Sequence, residues 1–125
     1  MRRKTRQRVA ICEILRGADR PLSPAEVRTR AAAKVPGVGI ATVYRALRAL
    51  LEEGWLTRVE IRGGSTLYER ADLRHHHHFQ CDACGMCYDV FACTRDIERL
   101  VPPGFVLRGH DLLLHGLCEE CASRR

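Results

Sequence analysis

Four cysteines in two Cys-x-x-Cys pairs, Cys81/Cys84 and Cys118/Cys121, follow an unbroken run of His75, His76, His77 and His78. Paired thiols at this spacing hold a tetrahedral zinc, each pair presenting two sulfurs about 2.3 Å from one ion. Gly85, directly after Cys84, suits the tight knuckle this requires, whereas the second pair keeps the spacing without the glycine. With 33 residues between the pairs, a shared ion would clamp the chain end back onto the first pair. A redox dithiol, the rival reading, normally uses one such pair. Successive side chains on a strand point to opposite faces, so His75 and His77 form one set and His76 and His78 another. The further candidate ligands are Glu69, Asp89, Asp96, Glu98 and His110. Nitrogen and oxygen donors of this kind take Fe(II), Zn(II), Mn(II) or Ni(II), and residue type does not choose among them. The bland alternative for the histidines is a solvated polar strand.

The elements that position these groups must fit in 125 residues, one ordinary domain or two small ones. Small halves would need a metal, a disulfide or a partner subunit for stability. The seven cysteines, the basic but amphipathic start and the lack of any run near ~18 apolar residues point to a cytoplasmic protein with reduced thiols, without secretory signal or membrane span. Charge divides unevenly. Residues 1–70 carry 15 Lys and Arg against 7 Asp and Glu, and residues 71–125 carry 6 against 8. A basic first half suits a polyanion, with nucleic acid the usual one. A solvated basic surface is the competing explanation.

Val9, Ile11, Ile14 and Leu15 predict a helix over about 6–16, with Gly17 as its stop and Cys12 as a packing residue. Ser23-Pro24-Ala25-Glu26 is a capping box with proline in the first turn, opening a helix to about Ala33. Ile40 to Glu53 is the strongest helical pattern, its stripe made by Val43, Leu47, Leu50 and Leu51 and its end by Gly54. Two strand-like runs, 55–61 and 66–69, join through Arg62-Gly63-Gly64-Ser65, a hairpin turn. Three helices and a hairpin, with basic residues on the third helix, give the order of a winged helix-turn-helix. On that third helix Thr42, Tyr44 and Arg45 have the chemistry to read base edges and phosphates in a major groove.

Beyond residue 70 the pattern predicts a strand at Cys87–Val90, a short helix over about 94–101 ended by Pro102-Pro103-Gly104, and a strand across 105–115. The fold class expected is α+β, with a winged-helix DNA-binding domain over 1–72 and a small α/β metal-binding dimerisation domain over 73–125.

Thr5-Arg-Gln-Arg8, Gly39-Ile-Ala-Thr-Val-Tyr-Arg-Ala-Leu47, His75 to Cys84-Gly85, and His110 to Cys121 together resemble the ferric uptake regulator (Fur) family over nearly the whole chain. The resemblance implies a dimeric, metal-dependent transcriptional repressor. It implies structural zinc on Cys81, Cys84, Cys118 and Cys121, and a regulatory metal on His75, His77, Asp96 and His110. A second metal site, at a hinge, would use Glu69, His76, His78 and Asp89. That site is incomplete, because Pro21 stands where relatives usually supply a histidine. The chain also lacks most of a first helix that many relatives have. The stretch between the thiol pairs is about one helical turn short, so Glu98 is an alternative to Asp96. Cys87 and Cys93 are extra thiols, each a ligand, a redox sensor or packing. Arg8, Thr42, Tyr44, Arg45, Arg48 and Arg62 are the DNA-binding candidates, with Arg2, Arg3, Lys4, Arg6 and Arg58 adding phosphate attraction.

The function expected is repression from a palindromic operator by a metal-loaded homodimer that controls zinc or iron homeostasis. His115-Gly116-Leu117-Cys118 is closer to zinc-sensing relatives, and Glu69 fits iron-sensing ones. Two other readings stay open: a peroxide sensor of the same family, with Fe(II) at the hinge oxidising a histidine, and a zinc-stapled interaction module without DNA recognition. An enzyme is not expected, because a zinc hydrolase needs an open zinc position with a general base and no HExxH pairing occurs.

Overall fold

The structure, a computed structural model, describes residues 3–124 apart from the side chains of Arg3, Lys4 and Arg95. Arg2 and the Arg3 and Lys4 side chains, assigned phosphate contacts above, therefore lie outside the described residues. The fold is α+β, in two compact units, Met1–Leu73 and Arg74–Arg125. No described helix is long and apolar enough to cross a membrane.

The first unit is a winged helix: α1 (Arg3–Gly17), α2 (Pro24–Lys34), α3 (Ile40–Glu52) and the antiparallel hairpin β1 (Leu56–Glu60) and β2 (Thr66–Arg70). Its helix starts follow from local chemistry. The Ser23 hydroxyl accepts from the Glu26 amide at 3.1 Å while the Glu26 carboxylate accepts from the Ser23 amide at 3.0 Å, closing the capping box with Pro24 in the first turn. Ile11, Leu15, Leu22, Val27, Ala31, Val43, Leu47, Leu50 and Leu56 are buried in one core, with Trp55 packed against it. Each Val, Leu or Ile side chain so removed from water contributes about 1.5–3 kcal/mol. Leu22 joins the wing by a two-way backbone bridge to Tyr68, N–H to O distances 3.0 and 2.8 Å. The turn between β1 and β2 uses Gly63 and Gly64 at φ 95° and 82°, a region other residues rarely enter.

The second unit is a three-stranded sheet with β3 (His77–Cys81) central, β4 (Cys87–Val90) antiparallel on one side and β5 (Leu113–Gly116) parallel on the other. A 3-10 helix (Arg95–Leu100) and a short α4 (Glu119–Ser123) complete it. The strand predicted across 105–115 is confined to β5. Phe105, Val106 and Leu107 are apolar yet exposed, and Pro102-Pro103-Gly104 turns the chain away before them. The helix predicted over 94–101 is a 3-10 turn capped by the Thr94 hydroxyl. α4 carried no apolar periodicity to announce it.

Candidate metal centres and recognition helix

β3 ends at Cys81, and the turn after it places Gly85 at φ 78°, with the Gly85 amide donating to the Cys81 carbonyl at 2.9 Å. That knuckle presents Cys84, while the start of α4 presents Cys118 and Cys121. The four sulfurs lie within 4.8 Å of one another, and Cys84 and Cys118 are 3.9 Å apart. A regular zinc–sulfur tetrahedron with bonds of about 2.3 Å has edges of about 3.8 Å, so the cluster has the size zinc needs. The amides of Cys84 and Cys118 donate to the Cys81 sulfur at 3.5 and 3.4 Å and pull its thiol down to about 6. Hydrogen bonds shared with the Cys118 and Cys81 sulfurs push Cys121 up to about 12. One thiol is thus ready as thiolate near neutral pH, and an ion would drive off the remaining protons.

The histidines divide by face. His75 and His77 meet edge to ring at 4.6 Å, and His110 lies 4.9 Å from each. His76 and His78 pair separately at 4.9 Å, each with Nε2 within 3.4 Å of the same Asp89 oxygen, at 3.4 and 3.3 Å. Glu69 sits on β2 of the other unit, where it is buried. Pro21 is fully buried and supplies no donor side chain.

In the first histidine set, His75 Nε2 and His77 Nε2 are 3.1 Å apart. The fourth member is not Asp96. Cys93 Sγ lies 3.2 Å from His77 Nε2 and 3.1 Å from His110 Nε2. Asp96 is exposed and faces Arg99 at 3.6 Å, because the 3-10 helix starts directly after Thr94 and carries it away. Glu98 is likewise exposed on that helix and outside the group. Cys87, the other extra thiol, is buried on β4 beside Gln80. Burial first, then neighbouring His75 and His110, holds the His77 imidazole below its usual range, which favours the neutral ligand form. The Leu112 amide, 3.3 Å from His77 Nδ1, leaves the ring proton on Nε2 in the metal-free form.

On α3 the inner face, Val43, Ala46, Leu47 and Leu50, is buried, and the outer face shows Ile40, Tyr44, Arg45 and Arg48. Tyr44 is 53 % exposed, unusual for an aromatic ring on a packed helix. Arg45 Nη2 donates to Thr42 Oγ1 at 3.2 Å, which holds the guanidinium beside the first turn. Arg6, Arg58 and Arg62 are exposed elsewhere on this unit. Arg8 instead reaches Glu53 at 2.6 Å, linking α1 to the end of α3.

The sequence profile of the Ferric uptake regulator family matches residues 2–121. The "Ferric uptake regulation protein" of Bordetella parapertussis is 35% identical over 124 residues, covering 94% of this chain and 88% of its own length. Among solved structures, the Helicobacter pylori ferric uptake regulator Fur, described as having three functional metal binding sites, superposes with TM-score 0.77 at 27% identity, over 93% of this chain and 79% of that one. FurB from M. tuberculosis, described as a zinc uptake regulator, matches with TM-score 0.55 at 29% identity, over 95% of each chain. With a winged helix, a four-thiol cluster and a profile match of this extent, the chain belongs to the ferric uptake regulator family, whose members are transcription regulators rather than enzymes.

Proposed function

We propose that this chain is a metal-responsive repressor that binds a two-fold-symmetric DNA operator as a homodimer. The outer face of α3 carries this reading: Tyr44, Arg45 and Arg48 stand exposed, with Thr42 half-buried beside Arg45, on a helix whose opposite face is locked into the core. Tyr44 and Arg45 would contact base edges, and Arg48, Arg58, Arg62 and Arg6 phosphates. Arg8, paired with Glu53, keeps other guanidinium donors for a phosphate. Leu100, Phe105, Val106, Leu107, Leu114 and Leu117 remain exposed in the second unit, and a second copy is the occupant that would cover them. Reduced ligand thiols and a DNA partner would suit the cytoplasm.

Cys81, Cys84, Cys118 and Cys121 would hold structural zinc, since four thiolates fill all tetrahedral positions. His75, His77 and His110 would hold the regulatory metal, Zn(II) or Fe(II), with Mn(II) or Ni(II) also compatible with imidazole donors. The fold leaves the choice open, as it serves both an iron-named and a zinc-named relative. The metal supplies a positive charge and a fixed ligand geometry. The chain's residues supply the response by ordering the segments that carry them, which shifts the population able to bind specifically.

Selection from a pool of random duplexes, followed by anisotropy titration of the enriched sequence, tests this reading. A palindromic site should bind at least 10-fold tighter with zinc or Fe(II) than with chelator. Tyr44→Ala with Arg45→Ala should abolish that specificity while leaving weak, salt-dependent binding. Equal affinity with and without metal, in protein that stays folded, would refute the metal response.

A further inference from the structure

Cys93 belongs to no spacing motif, yet among the described residues its sulfur closes the polygon of His75, His77 and His110. We propose that Cys93 is the fourth ligand of this site, and that the resulting three-imidazole, one-thiolate set selects zinc over Fe(II) and Mn(II). The inference rests on the reading of the three histidines as a regulatory metal site.

The geometry fits one small tetrahedral ion. With zinc–nitrogen bonds of about 2.0–2.1 Å and zinc–sulfur of about 2.3 Å, a tetrahedron has nitrogen–nitrogen edges of about 3.3 Å and nitrogen–sulfur edges of about 3.5 Å. The edges present are 3.1 Å between His75 and His77, 3.2 Å from His77 to Cys93 and 3.1 Å from Cys93 to His110. All four ligand atoms lie within 4.8 Å of one another, so small side-chain movements outward complete the figure.

Backbone geometry explains why sulfur stands there and carboxylate does not. Residues 91–94 run without helix or strand, and the Thr94 hydroxyl accepts from the Asp96 amide at 3.1 Å to start the 3-10 helix. Cys93 is therefore the last side chain before the chain turns, with Sγ 3.7 Å from the Thr94 carbonyl. Asp96, three residues on, is carried to the exposed side with Arg99. The chemical consequence is selectivity. A carboxylate is a hard donor able to bind through two oxygens and to support the higher coordination that Mn(II) and Fe(II) accept. A thiolate is soft, gives one bond, and closes the shell at four.

The experiment uses full-length protein holding one equivalent of zinc on the four-thiol cluster, confirmed by elemental analysis, and adds Co(II) as a spectroscopic probe. The second equivalent should show a thiolate-to-cobalt charge-transfer band in the wild type and in Asp96→Ala, and none in Cys93→Ser. Competition titration should show zinc binding at this site weakened by at least about 100-fold in Cys93→Ser, beyond what loss of an outer-sphere partner costs. Fe(II) binding should weaken less. Retention of the first zinc equivalent by each variant reports that the fold is intact. If Cys93→Ser keeps the band and the zinc affinity while His110→Ala loses the second equivalent, the histidine site stands and the Cys93 assignment falls. Loss of the band in Asp96→Ala with its retention in Cys93→Ser would overturn it as well. If Cys93→Ser and His110→Ala both bind the second equivalent like wild type, the site itself falls.

Discussion

In the first unit Ile11, Leu15, Leu22, Val27, Val43 and Leu47 are almost wholly removed from water and touch one shared core. In the second, Cys81, Cys87 and His77 are the buried side chains among the described residues, while Phe105 and Val106 are 70% and 81% exposed. The first unit, Met1–Leu73, is longer than the second, Arg74–Arg125, and the two bury different kinds of side chain. One buries a shared apolar core. The other places sulfur and imidazole where an apolar core would sit. Small units of this kind draw stability from metal or from a partner copy. Under the proposed function, that division would make the second unit the one whose folding depends on bound metal.

Removing metal is the sharpest way to break the comparison. Structural zinc in small domains is bound with about 10 kcal/mol or more of apparent free energy, which folding of the second unit would inherit. A strong chelator under reducing conditions, or Cys118→Ser, should therefore erase hydrogen-exchange protection of β3, β4 and β5. Trp55, the sole tryptophan, packs against the first unit's core and reports on that core. Its thermal transition should barely move. Loss of the Trp55 transition along with the sheet would mean that the two units share one source of stability.

The reverse experiment is smaller. Leu47 is 1% exposed at the centre of α3's inner face, and Leu47→Ala leaves a cavity costing about 2–5 kcal/mol. Trp55 should report a melting point lowered by many degrees, with the zinc content of the protein unchanged. Loss of zinc in this variant would show that the first unit supports the second.

The same asymmetry explains what could be read from the residues alone. The winged helix announces itself locally: a capping box at Ser23 and Glu26, a 3.6-residue stripe from Val43 to Leu50, and paired glycines at the only turn the hairpin allows. Each signal acts within a few residues of its cause. The two-residue period of β structure divides the four histidines in the same local way. The second unit depends on longer closures. Hydrophobicity across 105–115 marks residues that want covering without saying whether their own chain covers them, and only Leu113–Gly116 pairs with β3. Cys93 and His110 meet because of the path the backbone takes between them, and no spacing rule encodes that path. Asp96 was the choice the family resemblance implied, and after the Thr94 cap it lies exposed beside Arg99.

The capping box of α2 offers the finest adjustment of the comparison, because it tests the first unit by charge and leaves the second untouched. Burial pushes the Glu26 carboxyl upward, but the Arg20 hydrogen bond and the Ser23 amide outweigh it and hold the group below its ordinary value near 4.5. Arg20 Nη2 is 2.6 Å from the carboxylate, and both side chains are largely shielded. A carboxyl with a folded value below its unfolded one adds stability that is complete above the unfolded value and disappears as pH falls through the folded one. Glu26→Gln keeps an acceptor for the Ser23 amide but loses the ion pair, at a cost of about 1 kcal/mol near neutral pH. The Trp55 melting point should then fall by about 4–8 °C at pH 7. The gap should close as pH falls through the folded value of Glu26, where the wild type itself becomes neutral. A gap that stayed constant through that range would assign the effect to packing of the amide, and the first unit's stability at this corner would then owe nothing to the charge of Glu26.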